Sequence, residues 1–291
     1  MYKYYKFSIV VLVLLFSASC HKTDDTSSVK IAYLHHSTGG VLWRGGHNPF
    51  AHKVIRKLSQ KLSDVLDRHA VLPDLFKDYN KEKHTKFTIE EREFPKEKPY
   101  GWKNYPYDYY NIWVKNAGDM PYMEEPTLEM LTKEYQVITF KHCFPVSNIK
   151  PDQEIADIDS ETRTIANYKM QYLAIRDKLH EFPDTKFILF TGAAQTQANT
   201  NEESATRAKD FFTWVTNEWD VPGDNIYLWD LYSLQTEGGL YFKDEYAVSS
   251  ENSHPNKAFA SRVVKLLFDR IIDIIENEGD TTMLSGERKP Y

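Results

Sequence analysis

The sequence predicts an α/β fold built on one parallel sheet, and three observations carry that expectation. Short β-branched or aromatic runs with polar flanks recur along the chain. Stretches of helical apolar spacing separate them. Strands that alternate with helices need right-handed crossovers, and those produce parallel pairing. The expected class is a three-layer α/β/α sandwich of flavodoxin-like type with five parallel strands. The chain has 291 residues, 41% hydrophobic and 27% charged, enough apolar material for a full core in one large domain. No internal repeat and no second core stands out, so residues 29–277 are expected to form that domain.

The first strand is 29–34, Val-Lys-Ile-Ala-Tyr-Leu, which runs straight into His35-His36-Ser37-Thr38-Gly39-Gly40. Phe50, Val54, Leu58, Leu62 and Val65 recur at helical spacing. Segment 85–89 alternates and reads as a second strand, and 136–140 reads as a third. Between these two, residues 90–130 break the rhythm with Pro95, Pro99, Trp102, Tyr105, Tyr107, Tyr109 and Tyr110. That stretch is expected to be an ordered aromatic insertion over the active edge of the sheet.

A helix through Ile165, Tyr168, Tyr172, Ile175 and Leu179 follows, with Asp159 or Ser160 as its cap and Pro183 closing it. The fourth strand is 186–191. A helix through Ala205, Ala208, Phe211 or Phe212, Val215 and Trp219 leads to the fifth, 225–229. The last helix, Asn256 to Glu276, is apolar over much of its circumference and so packs on the sheet. The tail 278–291 is expected to fray.

The start of the chain reads as an export signal rather than as fold. Lysines near Met1, an apolar run from Phe7 to Phe16 and the small residues Ser17-Ala18-Ser19 precede Cys20. The apolar run is short for a membrane span. Residues 1–19 are expected to be a signal peptide whose removal leaves Cys20 as a lipidated first residue, with 20–28 as a polar tether. A surface or outer-membrane lipoprotein is the implied location, touching the membrane through its lipid alone. Cys143 is then a lone thiol, since the chain has only 2 cysteines. A net charge of −6 without a basic run gives nucleic acid no attraction.

Ligands of open parallel sheets bind at the carboxyl ends of the strands. Ser37 lies there after the first strand, Lys141-His142-Cys143 after the third and Asp230 after the fifth. Glu251-Asn252-Ser253-His254-Pro255-Asn256 leads into the last helix. Convergence of these loops makes Ser37 and His254 a nucleophile and base pair. The plainer use of Ser37 is a helix N-cap, and that of His254 is a turn residue. His35, His36, His47 and His52 cluster in the sequence, but at no zinc-like spacing, and no metal is assigned. His36 directly precedes the nucleophile and is a substrate-contact candidate.

The order of strand and serine, five βα units, then an acidic residue and His-Pro-Asn before a terminal helix resembles the SGNH/GDSL hydrolases. The resemblance spans Val29 to Glu276 and includes Asp230-Leu231-Tyr232-Ser233-Leu234 after the fifth strand. It implies Ser37 as nucleophile, His254 as general base and Glu251 in the place of the family's aspartate, with Asp244, Asp230 or a backbone carbonyl as other orienting groups. Two blocks depart from the pattern. His35-His36-Ser37 stands where Gly-Asp-Ser is usual, and Phe140-Lys141-His142-Cys143-Phe144-Pro145 stands where Gly-x-Asn-Asp supplies an oxyanion-hole asparagine. The expected donors are therefore the backbone N–H of Ser37 and one near Gly39, with Lys141, His142 or Asn148 in place of the asparagine. Each such donor is worth ~3 kcal/mol of transition-state stabilisation.

The implied activity is a cofactor-free serine esterase that removes acyl groups, O-acetyl above all, from small-molecule or carbohydrate esters. A non-catalytic, surface-anchored glycan-binding protein on the same scaffold is the alternative. A metal-dependent phosphoesterase using the histidines is a third reading.

Overall fold

The computed structural model describes residues 28–46 and 70–290. The expected signal peptide (1–19), Cys20, His47, His52 and the helical pattern from Phe50 to Val65 lie outside the described residues.

Five strands form one sheet in the order β2-β1-β3-β4-β5, and every pairing is parallel. They are β1 (Ser28–His35), β2 (Lys86–Glu93), β3 (Val137–Lys141), β4 (Lys186–Phe190) and β5 (Ile226–Trp229). β1 is buried from Ile31 to His35 and β3 along its whole length, as strands covered on both faces must be. The flavodoxin-like sandwich is thus the observed architecture.

One face is covered by α1 (Thr38–Trp43), α2 (Val71–Lys83) and α8 (Lys257–Asn277), which touch one another. Phe268 of α8 meets Phe76 of α2 edge-on at 5.0 Å. The other face is covered by α3 (Pro106–Tyr110), α5 (Ile165–His180) and α6 (Glu202–Trp214). Two short helices, α4 (Leu128–Leu131) and α7 (Leu231–Thr236), complete the set among the described residues. α2 escapes the periodicity argument because only Leu72 and Phe76 of its thirteen residues are buried.

The insertion at 90–130 is more than a loop over the edge. Pro106 opens α3, where its missing N–H costs nothing, and Asp108 caps the turn by accepting from Lys103 N at 2.8 Å. A π-helical turn, Asn111–Lys115, continues it. Phe94 stacks on Trp113 at 5.2 Å, and Trp113 meets Phe140 of β3 edge-on at 5.3 Å. The rings of Phe94, Tyr109 and Trp113 therefore roof the sheet as part of a helical layer.

Three further expectations need correction. The cap of α5 is Thr164, whose hydroxyl accepts from Asn167 N, not Asp159 or Ser160. The segment before α8 is a hairpin of β6 (Ala247–Ser249) and β7 (Asn252–Pro255), antiparallel to each other. The tail does not fray. Arg270 of α8, buried, donates to Leu228 O at 3.0 Å, Gly279 O at 2.9 Å and Thr282 Oγ1 at 3.0 Å. Asp273 accepts from Thr282 N at 2.8 Å, while Trp229 Nε1 donates to Ser285 O at 3.0 Å. A lone charge left in that buried cluster would be costly, so Asp273→Ala is expected to lose about 3–5 kcal/mol of stability, read as a lower urea midpoint at unchanged slope.

Candidate active site

The reactive group starts with a backbone constraint. Ser37 sits between β1 and α1 at φ 37° and ψ −93°, a positive φ outside the usual left-handed well. Its hydroxyl makes no capping bond to α1. The helix-cap role is therefore not what this serine does. The tight turn also explains the two glycines that follow. A Cβ on Gly39 would lie 2.4 Å from the Cβ of His35, so only glycine lets α1 settle on the strand end. The N–H of Gly39 donates to His36 O at 2.7 Å, which removes it from the expected set of oxyanion donors.

Ser37 Oγ lies 2.5 Å from His254 Nε2, although the two residues come from opposite ends of the chain. Ser37 is exposed and His254 half-buried, so the pair opens to solvent. The histidine is carried by β7 and held by its neighbours. Ser253 is buried, and its hydroxyl accepts from Thr196 N at 3.0 Å in the loop after β4. Asn256 caps α8 by accepting from Phe259 N at 3.0 Å and donates to Glu245 O at 2.7 Å. The ring of Phe144 packs edge-on to the imidazole at 5.1 Å.

The orienting partner of His254 is Asn252. Its Oδ1 lies 2.8 Å from His254 Nδ1 and also accepts the backbone N–H of His254 at 3.2 Å. A backbone N–H only donates, so the amide must turn its oxygen to this side. That choice places the imidazole proton on Nδ1 and leaves the Nε2 lone pair facing Ser37 Oγ. Glu251, expected in this role, is exposed and bonds neither ring nitrogen. Asp230 is committed elsewhere, as the cap of α7 and acceptor from Thr191 Oγ1 at 2.6 Å. The sequence held the signal for Asn252, but a carboxylate next to it drew the assignment.

The remaining expected residues divide by sheet face. His142 lies just past the end of β3 with its ring between Tyr109 and Tyr172, at 4.7 and 5.5 Å, on the α5 side. It is fully buried, both ring nitrogens lack partners among the described residues, and burial holds it well below the ordinary histidine range. It is not a donor at Ser37. Asn148 shares the carboxyl edge, where its Oδ1 accepts from Gln195 Nε2 at 2.6 Å. His36 bonds the carbonyl of Pro95 and has Nδ1 3.6 Å from Glu93, so it ties the insertion to the nucleophile turn. His35 Nε2 lies 2.9 Å from Glu91. Among the described residues no group of three or more His, Cys, Asp or Glu side chains is arranged to hold a metal ion.

Lys141 differs from all of these: its side chain is 1% exposed, and its Nζ has no hydrogen-bond partner among the described residues. It also acts on the base. Burial first, and the positive charge of Lys141 second, push the His254 imidazole below its ordinary value. Both causes disfavour the imidazolium, so the neutral, proton-accepting form persists to lower pH. A proton NMR titration of His254 should therefore show a midpoint below about 6.5, and Lys141→Met should move that midpoint upward.

A cavity of about 520 Å³ lies between α2 and the far half of α8, lined by Tyr79, Phe268 and Asp273. It is several turns along α8 from His254 and plays no part in this arrangement. No protein-family model, no curated protein and no solved structure matches the chain.

Proposed function

We propose that the protein is a serine esterase that works through an acyl-enzyme on Ser37. The supporting observation is the unbroken line from Ser37 Oγ to His254 Nε2 and from His254 Nδ1 to Asn252 Oδ1. His254 takes the hydroxyl proton as Oγ attacks the ester carbonyl, and gives it to the departing alcohol as the carbon–oxygen bond breaks. Water then attacks the acyl-serine with the same histidine as base, and the carboxylic acid leaves. Nothing in this sequence of steps draws on a cofactor.

The identity of the orienting residue bears on the substrate. A neutral amide oxygen fixes the tautomer of His254 but offers less stabilisation to the imidazolium than a carboxylate would. The alcohol of an ester departs far more easily than the amine of an amide. Esters with small acyl groups, acetyl first, suit such a site. Sugar as the alcohol is favoured by a cavity of about 260 Å³ in the insertion, walled by Tyr100, Trp102, Tyr105, Tyr107 and Tyr122. Tyrosine and tryptophan rings stack on the apolar faces of sugar rings. That cavity is tied to the reactive pair: Asn104, between Trp102 and Tyr105, accepts from Cys143 N at 2.8 Å, and Phe144 packs on His254. Export as a lipoprotein through Cys20 would place the enzyme where such glycan esters occur.

A fluorophosphonate probe is expected to label the wild-type protein and to leave Ser37→Ala unlabelled at an unchanged melting temperature. Equal labelling of the two would overturn the reading. Asn252→Ala should lower kcat/KM for p-nitrophenyl acetate by roughly 10²-fold, whereas Glu251→Ala should leave it unchanged; the opposite pattern would return the orienting role to the carboxylate.

A further inference from the structure

Lys141 closes β3 on the face that holds the nucleophile. In a parallel sheet, register partners lie side by side and point the same way. Thr139 pairs with Tyr33 and Lys141 with Phe190, and the rings of Tyr33 and Phe190 are 5.9 Å apart. The Tyr33 hydroxyl donates to Gly39 O at 3.0 Å, and its ring stacks on Trp43 at 5.4 Å. The first turns of α1, with Ser37 at their head, therefore roof this face at its carboxyl edge. Lys141 shares this buried face at the end of β3.

The surroundings leave the ammonium unmatched. No carboxylate among the described residues stands within ion-pair distance of Lys141. Other buried polar atoms here also lack partners: Thr139 Oγ1 and His35 Nδ1 on the same sheet face, and Thr38 Oγ1 in the first turn of α1. A methionine would fill similar volume without the several kcal/mol that an unpaired buried charge costs. Burial pushes the Lys141 amine below the ordinary lysine range, so negative charge arriving beside it would draw it back to its protonated, positive form.

We propose that Lys141 supplies the positive charge that balances the oxyanion formed at Ser37, in place of a side-chain amide donor. The assignment rests on the esterase reading above. As Oγ bonds to the carbonyl carbon, the π electron pair moves onto the carbonyl oxygen and the hydroxyl proton moves to His254 Nε2. One negative charge thus appears on oxygen and one positive charge on imidazole. The backbone N–H of Ser37 bonds that oxygen directly, and the ammonium acts across a water-poor space where charge interactions are strong. Collapse of the intermediate restores the carbonyl, breaks the bond to the alcohol oxygen and passes the Nε2 proton to it.

The same charge accounts for two other effects at the edge. It depresses His254, the base, and contributes to depressing His36, the residue next to the nucleophile. A lysine whose only role was to fill space would have no reason to sit within electrostatic reach of both.

The test is Lys141→Met, assayed by p-nitrophenyl acetate turnover and by the rate of fluorophosphonate labelling at Ser37. The expected result is a kcat lower by about 10²–10³-fold, with KM changed less than about threefold. Labelling should slow in proportion, because attack on phosphorus also builds charge on oxygen, and the melting temperature should hold or rise. Lys141→Gln, polar but uncharged, serves as the second variant should the methionine form fail to fold, with a large loss of kcat again expected. An active wild type with either folded variant within about threefold of it in both assays would overturn the role of Lys141 and leave the esterase reading standing. A wild type that neither turns over nor labels would remove both.

Discussion

The bond between Ser37 and His254 joins the start of the fold to its end. β1 is the second strand of the sheet, flanked by β2 and β3, while β7 belongs to a small hairpin that precedes the last helix. For the two to meet, α1 must sit tightly on β1, and the hairpin must be anchored over the carboxyl edge. Gly39 meets the first requirement by leaving room for His35. Ser253 meets the second, held by Thr196 and by Asn199 Nδ2 at 3.2 Å.

Electrostatics then distinguish this site from the pattern it resembles. The orienting group is a neutral amide, the buried charge is a cation, and no carboxylate bonds the imidazole. Both features favour a histidine that stays neutral until the reaction begins. The positive charge that would stabilise a tetrahedral intermediate lies below the nucleophile turn rather than on a loop beside it. In the proposed role burial is essential, since the same lysine in water would be screened.

The aromatic insertion has a double role that follows from its packing. Phe94, Tyr109 and Trp113 belong to the core against Phe140, and the Tyr109 hydroxyl donates to Lys141 O at 2.8 Å. Through that bond the insertion fixes the end of the strand that carries the buried lysine. Its outer rings wall a cavity of their own. One segment thus braces the site from within and shapes the surface beside it.

The sequence alone determined the sheet and its edge. Five apolar runs of strand length, separated by helical periodicity, leave few alternatives to a parallel sandwich, and each predicted strand lies within a few residues of the observed one. Ser37 and His254 were legible for the same reason, because strand ends in such a sheet converge and both residues sit at that edge. What the tertiary structure decided is which neighbour each side chain meets. Glu251 and Asn252 are adjacent in the chain and point to different surroundings, so only the path of β7 selects the amide. Lys141 and His142 are adjacent too, and the alternation of β3 sends them to opposite faces, one beneath the nucleophile and one among tyrosines. The tail folds back because Arg270 and Asp273, eight to twelve residues earlier on α8, offer the buried partners it needs. Periodicity encodes which residues are inside. Contacts between distant segments decide which polar groups find partners there, and that information resides in no local window of the chain.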